Sequence, residues 1–186
     1  MCKNGRERFC VRLFAAAIAD GRTGHDTALA LLRRAVREVW GCACPEIGKT
    51  AAGKPFFVGR PGMFCSISHT RTHVLVGLSS HPLGVDIETP RRLREGLRDR
   101  LFTPEEQRDF SFLEGWTLRE AVYKLTGQGS LRTMRLAREG GEIVTPFPGV
   151  RCRVYADVPG CVASAACRRG QFPAHIEIVP ADAFLP

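Results

Sequence analysis

The sequence predicts an α+β fold of two similar halves, each a helix on an antiparallel sheet, packed as a pseudo-dimer. Three observations carry this. Apolar residues recur at helical spacing in two separate segments, and short apolar runs of strand length follow each of them. A weak internal repeat then relates the halves. Leu32–Gly41 aligns with Leu118–Gly127 at five of ten positions, an offset of 86. Cys65–Ser79 maps onto Cys152–Ala166 at an offset of 87, and Val85-Asp86-Ile87 finds an echo in Ile176-Glu177-Ile178 at 91. The whole of 1–186 reads as a single domain, with halves of about 1–90 and 91–186.

The elements follow in order. Residues 9–18 (FCVRLFAAAI) read as an opening strand and Asp20–Gly24 as a turn. Residues 26–40 place Leu29, Leu32, Val36 and Val39 at helical spacing. A loop rich in Gly, Pro and Lys covers 41–62, and 63–68, 73–79 and 83–88 read as three short strands. At Thr103-Pro104-Glu105-Glu106 a helix starts, with Thr103 as cap, Pro104 at the first position and Glu106 three residues after the cap. A second long helix carries Trp116 to Lys124 and stops near Gly127. Residues 130–137, 150–156, 161–167 and 174–179 read as further strands.

Length and composition bound the partners. The 186 residues can bury a full core, and 44% hydrophobic with 25% charged content argues against extended disorder. A formal charge of +8 and a pI near 9.4 point to an anionic partner: a phosphate-bearing cofactor, an acidic protein or a nucleic acid. Of eight cysteines, only Cys42-x-Cys44 forms a close pair, and no second pair gives zinc-like spacing. No secretion signal is evident, because Arg12 interrupts the apolar stretch, and no run approaches the ~20 apolar residues of a membrane span. A cytoplasmic protein with reduced thiols at Cys10, Cys65, Cys152, Cys161 and Cys167 is expected.

Chemistry concentrates in two segments. Gly84-Val85-Asp86-Ile87-Glu88 alternates as a strand, so Asp86 and Glu88 point to one side. In Trp116–Lys124, Trp116, Glu120 and Lys124 share a helix face. Two acids on one strand face repel each other unless solvated or bridged by a cation. Three carboxylates from two rigid elements, with a lysine one turn on, suit a hard cation that holds a phosphate ester. Taken locally, the same residues also fit a solvated strand end and an exposed Glu-to-Lys pair worth ~0.3–0.5 kcal/mol.

The two segments together resemble the double signature of the 4′-phosphopantetheinyl transferases, G-[VI]-D-x-E followed by W-x-x-[KR]-E-[AS]-x-x-K. Gly53-Lys54-Pro55 and Ser66-Ile67-Ser68-His69-Thr70 are similar to two further motifs of that family. The resemblance, to the larger surfactin-synthetase-activating type in a short form, covers about residues 25–170 and implies that family's pseudo-dimeric fold. It implies transfer of 4′-phosphopantetheine from coenzyme A to a serine of an apo acyl or peptidyl carrier protein, releasing 3′,5′-ADP. Fatty-acid, polyketide and non-ribosomal-peptide carriers all remain open as partners. Carried across residue by residue, Asp86, Glu88 and Glu120 would hold magnesium, and Glu120 would help deprotonate the incoming serine. Lys124 would contact the pyrophosphate, with Asp86, Glu120 and Lys124 the catalytic set. Lys54, Ser68 and His69 would bind coenzyme A, with His69 near its 3′-phosphate, and Thr27 and Arg119 would be further contacts. Arg119 stands where lysine is commoner, and the two are not interchangeable at phosphates. The stretch 15–27 offers only Arg22 and His25 where the family carries more basic residues, which leaves Arg33, Arg34 and Arg60 to compensate.

Arg91, Arg92, Arg94, Arg98 and Arg100 form a basic cluster that would steer an acidic carrier, with Phe102, Phe110 and Phe112 as a candidate apolar anchor. Two other readings stay open. One is a non-catalytic coenzyme A or nucleotide-binding protein on the same fold. The other is a basic nucleic-acid-binding module, for which the sequence shows no zinc finger, RNA motif or recognition helix. The pseudo-dimer predicts a monomer.

Overall fold

The computed structural model describes residues 11–92 and 94–184. The chain is a mixed α+β protein built in layers. Strand β1 (Arg12–Ala17) leads to helix α1 (Gly24–Trp40), a small hairpin of β2 (Ile47–Lys49) and β3 (Pro55–Phe57), and then β4 (Phe64–His69), β5 (His73–Ser79) and β6 (Leu83–Glu88). Short helices α2 (Leu97–Leu101) and α3 (Pro104–Asp109) precede the long α4 (Phe112–Thr126). A second hairpin, β7 (Ala137–Glu139) and β8 (Glu142–Val144), is followed by β9 (Arg151–Tyr155), β10 (Val162–Cys167) and the two-residue β11 (Glu177–Ile178).

Two sheets form the middle of the molecule. One has the order β11-β1-β5-β4 and is antiparallel except where β11 runs parallel to β1. The other is antiparallel, in the order β6-β10-β9. Alternation sorts their side chains. Leu13, Ala15 and Leu75 of the first sheet meet Leu83, Val85, Ile87, Ala163 and Ala165 of the second in a shared core. The opposite faces take the helices. Phe14, Ala16, Val74, Val76 and Leu78 bury Ala28, Leu31, Leu32, Ala35 and Val36 of α1. Leu118, Ala121, Val122 and Leu125 of α4 pack with Ala166, Met134, Leu136 and Val150. Because Leu83, Val85 and Ile87 turn toward the sheets' shared core, Gly84, Asp86 and Glu88 turn toward α4.

The helix ends follow from local chemistry. Thr103 and Ser111 form capping boxes with Glu106 and Glu114, each worth about 1 kcal/mol by analogy with single caps. Helices α1 and α4 both end on a left-handed glycine, Gly41 and Gly127.

Several expectations change. The loop predicted over 41–62 contains the β2–β3 hairpin. The strand expected over 130–137 is a turn, closed by Met134 N–H donating to the Ser130 carbonyl, and only Ala137–Glu139 is extended. The echo between 85–87 and 176–178 is not one of sheet position, since β6 pairs antiparallel with β10 and β11 pairs parallel with β1. In α1, Leu32 and Val36 are buried as expected and Val39 packs partly against the same core, but Leu31 and Ala35 rather than Leu29 complete the buried face. The expected opening strand begins within the described residues at Arg12, and Cys10 lies outside them. No helix among the described residues is long and apolar enough to cross a membrane.

Candidate functional site

Gly84 sets how close β6 comes to α4. A Cβ placed there would sit 2.0 Å from the Ala121 carbonyl oxygen and 2.6 Å from the Leu125 nitrogen, so only glycine permits the approach. Two residues on, Asp86 faces the helix and is only 5% exposed. Its Oδ1 accepts from Lys124 Nζ at 2.7 Å and from the Ser68 hydroxyl at 2.7 Å. Lys124 Nζ also donates to the Val85 carbonyl at 3.1 Å. Asp86 Oδ2 is buried with no hydrogen-bond partner among the described residues.

Glu88 and Glu120 complete an acidic group around this pair. Burial pushes the Glu120 carboxyl above its usual range; the Asp86 charge adds to this, Lys124 opposes it, and Glu88 adds again. Glu88 is raised by burial and then by Asp86, while Arg91, Lys124 and a hydrogen bond from Trp116 pull the other way. Trp116 is itself held by stacking on Phe112 at 6.3 Å between ring centres. The three acids therefore feel one another. They are not drawn together as a ligand set: among the described residues no three His, Cys, Asp or Glu side chains form a metal-holding cluster. Lys124 supplies the positive charge that Asp86 uses. The orphaned Asp86 Oδ2, in an anionic setting where two neighbours ionise reluctantly, fits a hard divalent cation.

The expected coenzyme A residues divide. His69, at the exposed end of β4, lies over the first turn of α1: a Cβ on Gly24 would come within 2.9 Å of its Nδ1. Imidazole and helix N-terminus there could both donate to an anion. Lys54 is half-buried and donates to the Leu83 carbonyl (3.2 Å) and the Lys124 carbonyl (2.7 Å), and burial lowers its ammonium below the usual lysine range. It also lines a cavity of about 280 Å³ with Pro55, Ile67, Glu120, Tyr123 and Lys124. Ser68 is turned to Asp86. Thr27 is fully buried, and its hydroxyl donates to the Thr23 carbonyl within α1, so the structure does not present it to a ligand.

Arg119 is the clearest departure. It is 0% exposed, and its guanidinium donates to Glu106 Oε1 (2.6 Å) and to the Leu101 and Leu131 carbonyls, with its carbon 4.1 Å from the Phe102 ring centre. Burial alone would raise the Glu106 carboxyl, but the Thr103 and Leu136 N–H groups and Arg119 outweigh it and hold it low. The side chain points away from the acids although its neighbour Glu120 faces them, as adjacent helix positions must. Phe102, Phe110 and Phe112 are core residues at 4%, 3% and 8% exposure and offer no docking anchor. Within the basic cluster, Arg98 is spent on the Gln107 and Phe110 carbonyls, whereas Arg91, Arg92, Arg94 and Arg100 stand exposed or half-exposed. Sequence reasoning missed Ser66, which lies two residues before Ser68 on β4; its buried Oγ accepts from the Val85 N–H at 3.0 Å. The i, i+2 spacing of the two serines was its signal.

Two strand-borne acids thus stand beside a helix-borne Glu and Lys in a layered α+β fold. Residues 82–145, which contain this unit, match the model of the 4′-phosphopantetheinyl transferase superfamily. The chain is 25% identical over 175 residues to 4′-phosphopantetheinyl transferase psf-1 of Bacillus pumilus, covering 83% of this chain and 75% of that protein. It is 26% identical over 152 residues to 4′-phosphopantetheinyl transferase ffp of Bacillus subtilis, covering 72% and 67%. To 4′-phosphopantetheinyl transferase Sfp of Bacillus subtilis strain 168 it is 27% identical over 152 residues, with the same 72% and 67%. The resemblance to the 4′-phosphopantetheinyl transferases carried by the motifs thus holds across most of the chain.

Proposed function

We propose that this protein is a magnesium-dependent 4′-phosphopantetheinyl transferase acting on coenzyme A and an apo acyl or peptidyl carrier protein. The observation that carries the reading is the buried, half-satisfied carboxylate of Asp86, set against Lys124 with Glu88 and Glu120 beside it. Asp86, Glu88 and Glu120 would hold magnesium, whose contribution is to neutralise and polarise the pyrophosphate. Lys124 Nζ, already at the mouth of the site, would shift its charge toward the phosphoryl oxygens and stabilise the leaving group. Glu120 would also help take the proton of the incoming serine, directly or through water. The serine oxygen would attack the β-phosphorus, forming one P–O bond as the bond to 3′,5′-ADP breaks. His69 and the start of α1 would take the 3′-phosphate, and Lys54 would order the wall of the cavity beside Glu120.

The matching strand orders β1-β5-β4 and β6-β10-β9, each with a helix on its outer face, support the pseudo-dimer reading of one domain and a monomeric enzyme. Free thiols at Cys42, Cys44, Cys65, Cys152, Cys161 and Cys167 fit a reducing cytoplasm. The exposed arginines 91, 92, 94 and 100, next to Glu88, would steer an acidic carrier to the site. Release of 3′,5′-ADP should require coenzyme A, an apo carrier and magnesium together, and should stop with EDTA. Release that persists in EDTA would remove the metal from the account. Binding of coenzyme A with no release on any carrier would favour a binding protein on the same fold.

A further inference from the structure

We infer that the outer edge of β9 is a docking groove for an extended, acidic segment of a partner protein, which joins the sheet as a fourth strand. The inference is independent of the proposed transfer reaction. In the order β6-β10-β9, β9 ends its sheet, and its ladder with β10 uses only the backbone groups on one side. Among the described residues, no other strand and no side chain pairs with the opposite side. Beside that edge lies a cavity of about 650 Å³, walled by Val154 and Ile143 of the β7–β8 hairpin on one side and by Tyr155 and Phe172 on the other. That is within the ~300–1,000 Å³ of ligand clefts. Asp86, Glu88, Glu120 and Lys124 do not line it, and β10 separates β9 from β6.

The charges along the groove select its occupant. Arg151 and Arg153 alternate with Cys152 and Val154, so both arginines stand on one face of β9 and the apolar pair on the other. Arg153 is oriented by the Ala174 carbonyl at 3.2 Å and by the Tyr155 ring at 5.3 Å, and Arg151 by the Gly170 carbonyl. Arg138, from the hairpin, lies 5.1 Å over the Phe110 ring. All three arginines are exposed and line the cavity. Glu114 and Glu142 line it too, yet among the described residues none of the three is within ion-pair distance of a carboxylate. A guanidinium carries five donors, so most of theirs stay open to a ligand. A strand laid along β9 would set every second side chain over Arg151 and Arg153, and the residues between over Ile143 and Val154. The complementary sequence therefore alternates acidic and apolar residues. A second copy of β9 does not fit, because it would bring arginines opposite arginines. Nor do residues 1–10, in which Lys3, Arg6 and Arg8 outnumber the one acid, Glu7.

The test uses the full chain and a fluorescently labelled hexapeptide, Glu-Val-Glu-Val-Glu-Val, with binding read by anisotropy. The peptide should bind, and its Lys-Val counterpart should bind about tenfold or more weakly. Arg151→Glu/Arg153→Glu should weaken the Glu-Val peptide by about the same factor, since two attractive cross-strand pairs become repulsive. Two further peptides tell strand addition from charge alone and need no change in the protein: one is N-methylated at its valines, the other at its glutamates. Alternate N–H groups of a strand point to opposite edges, so one methylation should abolish binding and the other should leave it within about threefold. Equal loss with both, or loss with neither, overturns the inference, as does failure of the unmodified peptide to bind. A labelled oligothymidylate that binds more tightly than the peptide, and is released by the same double substitution, also overturns it and assigns the arginines to nucleic acid.

Discussion

At Glu120, burial and the Asp86 charge together favour the protonated carboxyl, and the consequence for stability has a definite sign. A carboxyl that holds its proton more tightly when folded stabilises the fold fully below the unfolded value, near 4.5, and loses that contribution as pH rises through the folded value. In EDTA, the melting temperature of wild type relative to Glu120→Gln should therefore fall as pH rises from 4.5 upward, and saturating magnesium should reduce the fall. A difference independent of pH would contradict the mutual repulsion of the acids. Arg119 makes a contrasting case. Its guanidinium is enclosed by Glu106, two carbonyls and Phe102. Removing one partner of such a buried pair costs about 3–5 kcal/mol. Arg119→Met should lower the melting temperature sharply, and Arg119→Lys should lower it less while leaving coenzyme A affinity unchanged. A large rise in KM for coenzyme A in Arg119→Lys, with stability intact, would restore Arg119 as a contact.

Between elements, the decisive contact is that of β6 with α4. With the Ala121 carbonyl 2.0 Å from a modest added Cβ, Gly84→Ala must push the helix away from the strand. Overpacking of this kind costs typically 1–3 kcal/mol, and here it also separates Asp86 from Lys124. Gly84→Ala should thus lose both stability and magnesium-dependent activity, with denaturation and turnover measured on the same preparation; full activity would show that the spacing of the two elements is not critical. The elements themselves were unevenly legible in the sequence. The start of α3 was plain because Thr103, Pro104 and Glu106 act on one another within a single turn. Hairpins β2–β3 and β7–β8 were not, because three-residue strands carry too little alternation and owe their pairing to a partner across a turn. Leu131, Met134 and Leu136 look like a strand, but Met134 and Leu136 are buried by packing under α4 while the backbone turns. Asp86, Glu88, Glu120 and Lys124 could be read from two local periods. Which oxygen of Asp86 is held, and by whom, depends on a strand residue 18 positions before it and a helix residue 38 positions after it, and no local pattern encodes that.

Across the whole molecule, β6 places its pair of acids against α4, which carries Glu120 and Lys124 on the outer face of the same sheet, while His69 and α1 belong to the other sheet. Under the proposed function, residues of both sheets would serve a two-ended ligand such as coenzyme A. Its electrostatics match: +8 overall, yet locally acidic where a cation would mediate. The most direct test is the intact mass of apo carrier proteins, from fatty-acid, polyketide and peptide pathways, after incubation with the protein, coenzyme A and magnesium. The account predicts a gain of one phosphopantetheine on at least one carrier, abolished by EDTA and in Asp86→Asn and Glu120→Gln. An equal gain in Asp86→Asn and in EDTA, or no gain on any carrier despite bound coenzyme A, would contradict it.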